Sequence, residues 1–247
     1  MTLINVINAH MKKLLFDYMN RRQAKPKKPT AEELDPYIPG PAITISRDYG
    51  CHGSAIGLML VQTINHKNQA RRKNTREWKF ISKEILEQSA KELNMTPDSL
   101  SNLSFTQKND IFSNLSTFFS SSFYTNNTKM RNTIAKIIYN FAETGNCVII
   151  GRAAEAITKD IKRSLHVRLV APLDVRAQWV ADEEDLSLDD ARERCTQEDE
   201  KRERFRTYFE GKNDDLEYYD LTINVSKMTP EEAVEVILIL AEARGFL

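Results

Sequence analysis

The stretch ITISRDYGCHGSAIG, residues 43–57, decides how the rest of the chain is read. A short β-branched run enters a turn with glycines at 50 and 53, and an apolar-periodic segment follows. Strand, glycine turn and helix in that order make the shape of a phosphate-binding loop. Such a loop works because consecutive backbone N–H groups and a helix N-terminus point at one anion. Glycine serves where the backbone must approach an oxygen closely or take a positive φ. The full signature GxxxxGK[ST] is not met, however, and no lysine stands in the turn. Two glycines between a strand and a helix fit a plain tight turn equally well. The decision falls to the residues downstream.

A chain of 247 residues forms one large domain, or a domain with an appendage, and is long enough to bury a real core. At 41% hydrophobic and 28% charged it reads as globular. Its 35 basic and 35 acidic side chains balance to +0, which argues against nucleic acid as a partner, since that needs a positive excess. Cys51, Cys147 and Cys195 are few and widely spaced, without the pattern of a disulfide framework or zinc site. No stretch approaches the ~20 apolar residues of a membrane span. The opening MTLINVINAHMKK places its charges after its apolar residues and lacks a small-residue cleavage site. A cytoplasmic location is expected.

Three regions are expected along the chain. Within residues 1–24, Leu3, Ile4, Ile7, Met11, Leu14, Leu15 and Tyr18 recur at three- and four-residue steps, the mark of an amphipathic helix. Residues 25–41 carry five prolines and several lysines, which makes them a linker. The helical extension packs on its own domain, pairs with a second copy, meets another protein, or lies on an anionic membrane surface. Residues 42–247 form the main domain.

In that domain the hydrophobic period alternates. Strands are expected at 42–46, 78–81, 147–151, 164–171 and 220–225. Helices are expected at 54–65, 82–93, 129–144, 172–181, 188–210 and 230–244, with a Ser/Asn/Thr-rich segment at 96–128. Strand–helix alternation of this kind predicts an α/β domain with a five-stranded, mostly parallel sheet and helices on both faces. Ligands then sit at the carboxyl ends of the strands.

Four pieces carry a resemblance: ITISRDYG at 43–50, WKFISKEIL at 78–86, GNCVIIGRAAEAI at 145–157, and DEKRERFRTYFEGK at 199–212 with YYDLTINVSKMTPEEAV at 218–234. Together they resemble the cytidylate kinase-like family of P-loop nucleoside monophosphate kinases over about residues 42–240. The resemblance implies the three-layer P-loop kinase fold, ATP as donor, Mg2+, and a nucleoside monophosphate or similar small molecule as acceptor.

Several residues then acquire expected roles. Gly50, Cys51, His52, Gly53 and Ser54 form the phosphate loop, and Ser54 offers a hydroxyl to magnesium. Arg152 follows a buried strand directly, and its planar fork suits bidentate contact with an acceptor phosphate. Asp199, Arg202, Arg204 and Arg206 lie near where kinases of this fold carry a lid, whose arginines neutralise the phosphoryl group in flight, and Arg202 and Arg204 match the family's lid pattern. A charge run of this kind is also what a solvated helix face looks like.

The loop departs from the family pattern SRxYGSGGRE. Gly53 stands where a loop lysine would be, Cys51 and His52 replace a serine and a glycine, and Ser82 replaces the aspartate of DKE. Arg47 is the nearby permanent cation that could replace the lysine. Restoring lysine at position 53 is therefore expected to raise activity, unless the His52 ring fills the cradle. Cys51, close to a helix N-terminus, is a conceivable thiolate nucleophile. Three functions stay open on the sequence: a phosphotransferase, a nucleotide-binding regulator without turnover, and an interaction protein that binds no nucleotide.

Overall fold

The computed structural model describes residues 41–71, 76–82, 128–210 and 217–247, and Pro39–Leu247 forms one compact unit. Five strands, β1 (Ala42–Arg47), β2 (Lys79–Ile81), β3 (Cys147–Ile150), β4 (Ser164–Val170) and β5 (Leu221–Asn224), build one sheet in the order β2-β3-β1-β4-β5, all parallel. Each agrees with its expected span to within one residue at either end. The expected helices at 1–24 and 82–93, the linker, and most of the Ser/Asn/Thr-rich segment lie outside the described residues.

Six helices lie among the described residues: α1 (Gly53–Ala70), α2 (Thr128–Thr144), α3 (Ala154–Ile157), α4 (Leu173–Glu184), α5 (Leu188–Glu210) and α6 (Pro230–Ala243). The start of α6 follows from its sequence: Thr229 and Glu232 close a capping box around Pro230. α1 runs past its expected end at Asn65, to Ala70, and Asn65 fixes a neighbouring segment. Its side chain accepts from Trp78 N at 2.8 Å and donates to Trp78 O at 2.9 Å, fixing the approach to β2.

β1 is central, and its period of two sorts the site. Ile43 and Ile45 join Ile56, Leu60 and Ile64 of α1 and Ile237, Leu238 and Ala241 of α6 in the core on one face. Arg47, two residues on from Ile45, shares that face. Thr44 and Ser46 point to the other. Between β3 and β4 the chain crosses over β1, so the carboxyl end of β1 is the switch point where such sheets form a crevice.

On the Thr44 face the core holds a titratable group. His166 is buried, with Nδ1 at 2.8 Å from Thr44 Oγ1 and Nε2 at 3.0 Å from Ser164 Oγ. Burial pushes its pKa below the usual 6.5, against the opposing pull of Asp220. Above pH 6.5 the ring is neutral in both folded and unfolded chains and adds no pH dependence. As pH falls through 6.5 the unfolded chain takes up the proton first, so stability declines. Thermal melts from pH 7.5 to 5 are expected to show this slope in wild type and a shallower one in His166→Gln. Equal slopes would contradict it.

Candidate active site

A cleft of about 800 Å³ opens at the carboxyl edge of the sheet, between the ends of β1, β3 and β4 and the α5 helix. Seven arginines line it: Arg47, Arg152, Arg168, Arg176, Arg194, Arg202 and Arg206. That concentration of fork-shaped cations suits phosphate.

The loop leaves β1 through Asp48, whose N–H donates to Leu169 O at 3.1 Å. Gly50 takes φ 84 and His52 φ 47, and α1 begins at Gly53 with Ile56 N donating to His52 O. The N–H groups of Gly53, Ser54 and Ala55 precede that first bond, and no side chain of the cap residue covers them. The first turn of α1 thus starts with three N–H groups that have no intrahelical partner. The loop's exposure to the cleft differs from the expectation. The cleft is lined by Ser46 through Tyr49 and by none of Gly50, Cys51, His52, Gly53 or Ser54.

Arg47 is the reason. A Cβ built on Gly53 would stand 2.9 Å from Arg47 Cγ and 3.0 Å from Cδ. One on Gly151 would overlap Arg47 Nη1 and stand 3.2 Å from Cζ. The arginine thus runs from the end of β1 across the first residue of α1 to the turn after β3. Arg47 itself lines the cleft. The His52 ring does not fill the loop. It packs 5.2 Å from the Trp179 ring, and Nδ1 lies 3.2 Å from Glu183 Oε1.

Cys51 is no nucleophile. Its thiol is buried, and desolvation with the nearby Asp48 charge pushes its pKa up to about 12. Ser54 is exposed on α1, outside the cleft. The carboxylates that line the cleft include Asp48, Glu155 and Asp199. A nucleotide-borne magnesium needs only one or two carboxylates besides phosphate oxygens. Among the described residues no group of three or more His, Cys, Asp or Glu forms a resident metal site.

The expected lid residues divide. Asp199 anchors α5 to the loop: Oδ1 accepts from Tyr49 N at 2.6 Å and Oδ2 from Arg176 Nη1 at 2.6 Å. Arg176 also donates to Tyr49 O at 3.0 Å and, through Nε, to Ala171 O at 2.9 Å. Arg202 Nη1 donates to Arg47 O at 3.0 Å, and its guanidinium lies 5.1 Å from the Tyr49 ring centroid. Arg204 does not join them. Two residues along a helix turn the side chain by roughly 200°, and Arg204 faces outward, 3.6 Å from Glu200. Its place in the cleft is taken by Arg206, four residues on from Arg202, whose Nη1 donates to Tyr219 Oη at 3.2 Å.

Just past β3, Arg152 lines the cleft with its guanidinium 5.3 Å from the Phe205 ring. Gly151, Arg152 and Ala153 have φ of 64, 60 and 52, a left-handed run that costs roughly 1–2 kcal/mol per non-glycine residue. Strain of this kind concentrates at functional sites.

The comparisons with known proteins agree with this geometry. The model of the cytidylate kinase-like family matches residues 42–227. The chain belongs to this family. It is 35% identical over 97 residues to the cytidylate kinase of Pyrococcus horikoshii, covering 39% of this chain and 50% of that protein. It is 32% identical over 120 residues to the cytidylate kinase of Methanococcus maripaludis, covering 47% and 67%. The matches thus span between half and two thirds of these relatives. Among solved structures, an uncharacterized protein from Eubacterium ventriosum superposes with a TM-score of 0.58 at 18% identity, over 82% of this chain and 98% of that one. That likeness concerns the fold alone.

Sequence reasoning missed one buried acid in this kinase-family cleft. Glu155 is 1% exposed, yet it lines the cleft, accepting from Ser46 Oγ at 2.7 Å and from Tyr219 Oη at 3.3 Å. Its signal was legible in GRAAE, which sets an acid three residues after the strand-end arginine. Ser46 reaches it because it faces away from α1. Burial and the Glu155 charge push the Tyr219 hydroxyl up to about 12, so it stays a donor.

Proposed function

We propose that this protein transfers the γ-phosphoryl group of ATP to a nucleoside monophosphate or a similarly small phosphorylated acceptor. The observation that carries the proposal is the cleft at the sheet's switch point lined by seven arginines, among them Arg47 and the Arg202 that bonds its backbone carbonyl. In the transfer, an acceptor phosphate oxygen forms a bond to the γ-phosphorus. The bond to the β–γ bridging oxygen breaks, and its electron pair leaves with ADP. Little covalent chemistry is asked of the protein, because positioning and charge neutralisation dominate. Arg47 and Arg202 neutralise the donor phosphates, and Arg152 orients the acceptor's phosphate. Glu155 lines the same cleft, held by two hydroxyl donors. Magnesium bound to ATP supplies further charge neutralisation, with Asp48 and Glu155 the carboxylates that would hold it.

The division of labour between Arg152 and the loop is testable by calorimetric titration. Arg152→Ala is expected to weaken monophosphate binding about tenfold or more, on the scale of one charged hydrogen bond, with ATP binding little changed. Equal losses for both ligands would remove Arg152 from the acceptor side.

A further inference from the structure

We propose that Gly53 and Gly151 are positioning residues, two walls of a trough that seats Arg47 where the loop lysine of related kinases would stand. A side chain at either wall and the seated arginine then exclude one another. This rests on the phosphotransferase reading for its consequence but not for its geometry. At Gly53 the conflict is with the near part of the arginine, Cγ at 2.9 Å and Cδ at 3.0 Å from a built Cβ. Such a contact involves the stem of the side chain and not its tip, so the stem itself must shift to relieve it. At Gly151 a Cβ meets the guanidinium itself, on a backbone already at φ 64.

The arginine's own backbone gives it no room to retreat. Arg47 ends β1 in register with Leu169 of β4, Asp48 N is bonded to Leu169 O, and Arg47 O accepts from Arg202. Beneath the side chain lie the unclosed N–H groups of the first turn of α1, which favour an anion. The guanidinium and the helix end thus offer positive charge from two sides to one region. Arginine at 47 with glycine at 53 is a matched pair, an exchange of one cation for another. The sequence-based expectation that Gly53→Lys alone raises activity is reversed: the new side chain evicts the cation already there.

A double-mutant cycle tests the trough by thermal unfolding, without reference to turnover. Gly53→Ala is expected to lower the Tm of the wild type by roughly 2–4 °C. In the Arg47→Ala background the same change is expected to leave the Tm unchanged or raise it, since alanine suits a helix better than glycine. An equal fall in both backgrounds would overturn the trough. The functional arm uses ATP with magnesium as the probe. Gly53→Lys and Gly151→Ala should each lose most of the ligand-induced Tm shift, and Arg47→Gly combined with Gly53→Lys should regain it. Coupling in the unfolding cycle with no ATP-induced shift even in wild type leaves the trough standing and removes the phosphotransferase reading. An ATP shift in Gly53→Lys equal to that of wild type would overturn the exclusion.

Discussion

Arg47→Ala is expected to lower the rate of phosphoryl transfer by roughly 10² or more, the usual effect of removing one well-placed charge from a transfer site. The case rests on position. Arg47 lies across Gly53, at the site of the absent lysine, and the neighbouring cation, Arg202, is bonded to the Arg47 carbonyl. Burial disfavours the charged form of Arg202, which carries its charge at that cost because Asp199, Glu198 and Asp48 surround it. Arg202 is therefore partly neutralised already. Arg47→Lys should recover only part of the loss, because an ammonium lacks the planar fork that contacts two oxygens at once. The check is kcat at saturating ATP and acceptor. A loss below tenfold would place Arg47 away from the transferred phosphate.

The second large effect concerns stability. Arg176→Met is expected to destabilise the fold by about 3 kcal/mol or more, the cost of a charge-assisted hydrogen bond together with two carbonyls that lose their donor. The Arg176 side chain is 9% exposed and Asp199 29% exposed, and their 2.6 Å contact joins α4 to α5. The same arginine holds Ala171 O and Tyr49 O, so its loss also frees the loop. For a domain of this size the midpoint should fall by roughly 10 °C or more. Asp199→Leu added to Arg176→Met should restore part of it, since an apolar pair in place of a buried ion pair is often nearly neutral. A double variant as unstable as the sum of the two single ones would show that the pair does not act as a unit.

The tie through Asp199 joins α5 to the loop and to α4. Tyr49 packs against Ala177, Val180, Ala191 and Cys195, its ring lies near the guanidinium groups of both Arg194 and Arg202, and its hydroxyl bonds Glu184 at 2.5 Å. Loop and helices are thus joined by one aromatic side chain and one carboxylate.

The sheet was legible because each strand is a short apolar run bounded by glycine, proline or polar residues, and parallel strands are buried on both faces. The carboxyl-edge location of the site followed from the alternation alone. What the sequence hid depends on contacts far apart along the chain. Glycine at 53 looks like a lost lysine until the side chain of Arg47, six residues earlier, is seen lying on it. Arg176, which would pass for a solvated helix residue, is buried by contacts to Tyr49 and Asp199. Arg204 and Arg206 could have been separated beforehand, because only the latter shares a helical face with Arg202. α3 is too short, at four residues, to give a periodic signal.

The central claim is that the cleft moves a phosphoryl group and does not merely hold nucleotide. The most direct measurement incubates the wild-type protein with magnesium and ATP labelled at the γ-phosphate, together with CMP or another nucleoside monophosphate, and follows the label. The expected result is labelled nucleoside diphosphate, formed faster than labelled inorganic phosphate and reduced about a hundredfold in Arg47→Ala. If ATP raises the melting temperature while no monophosphate acquires label, the protein is a nucleotide-binding regulator and the phosphotransferase account is wrong.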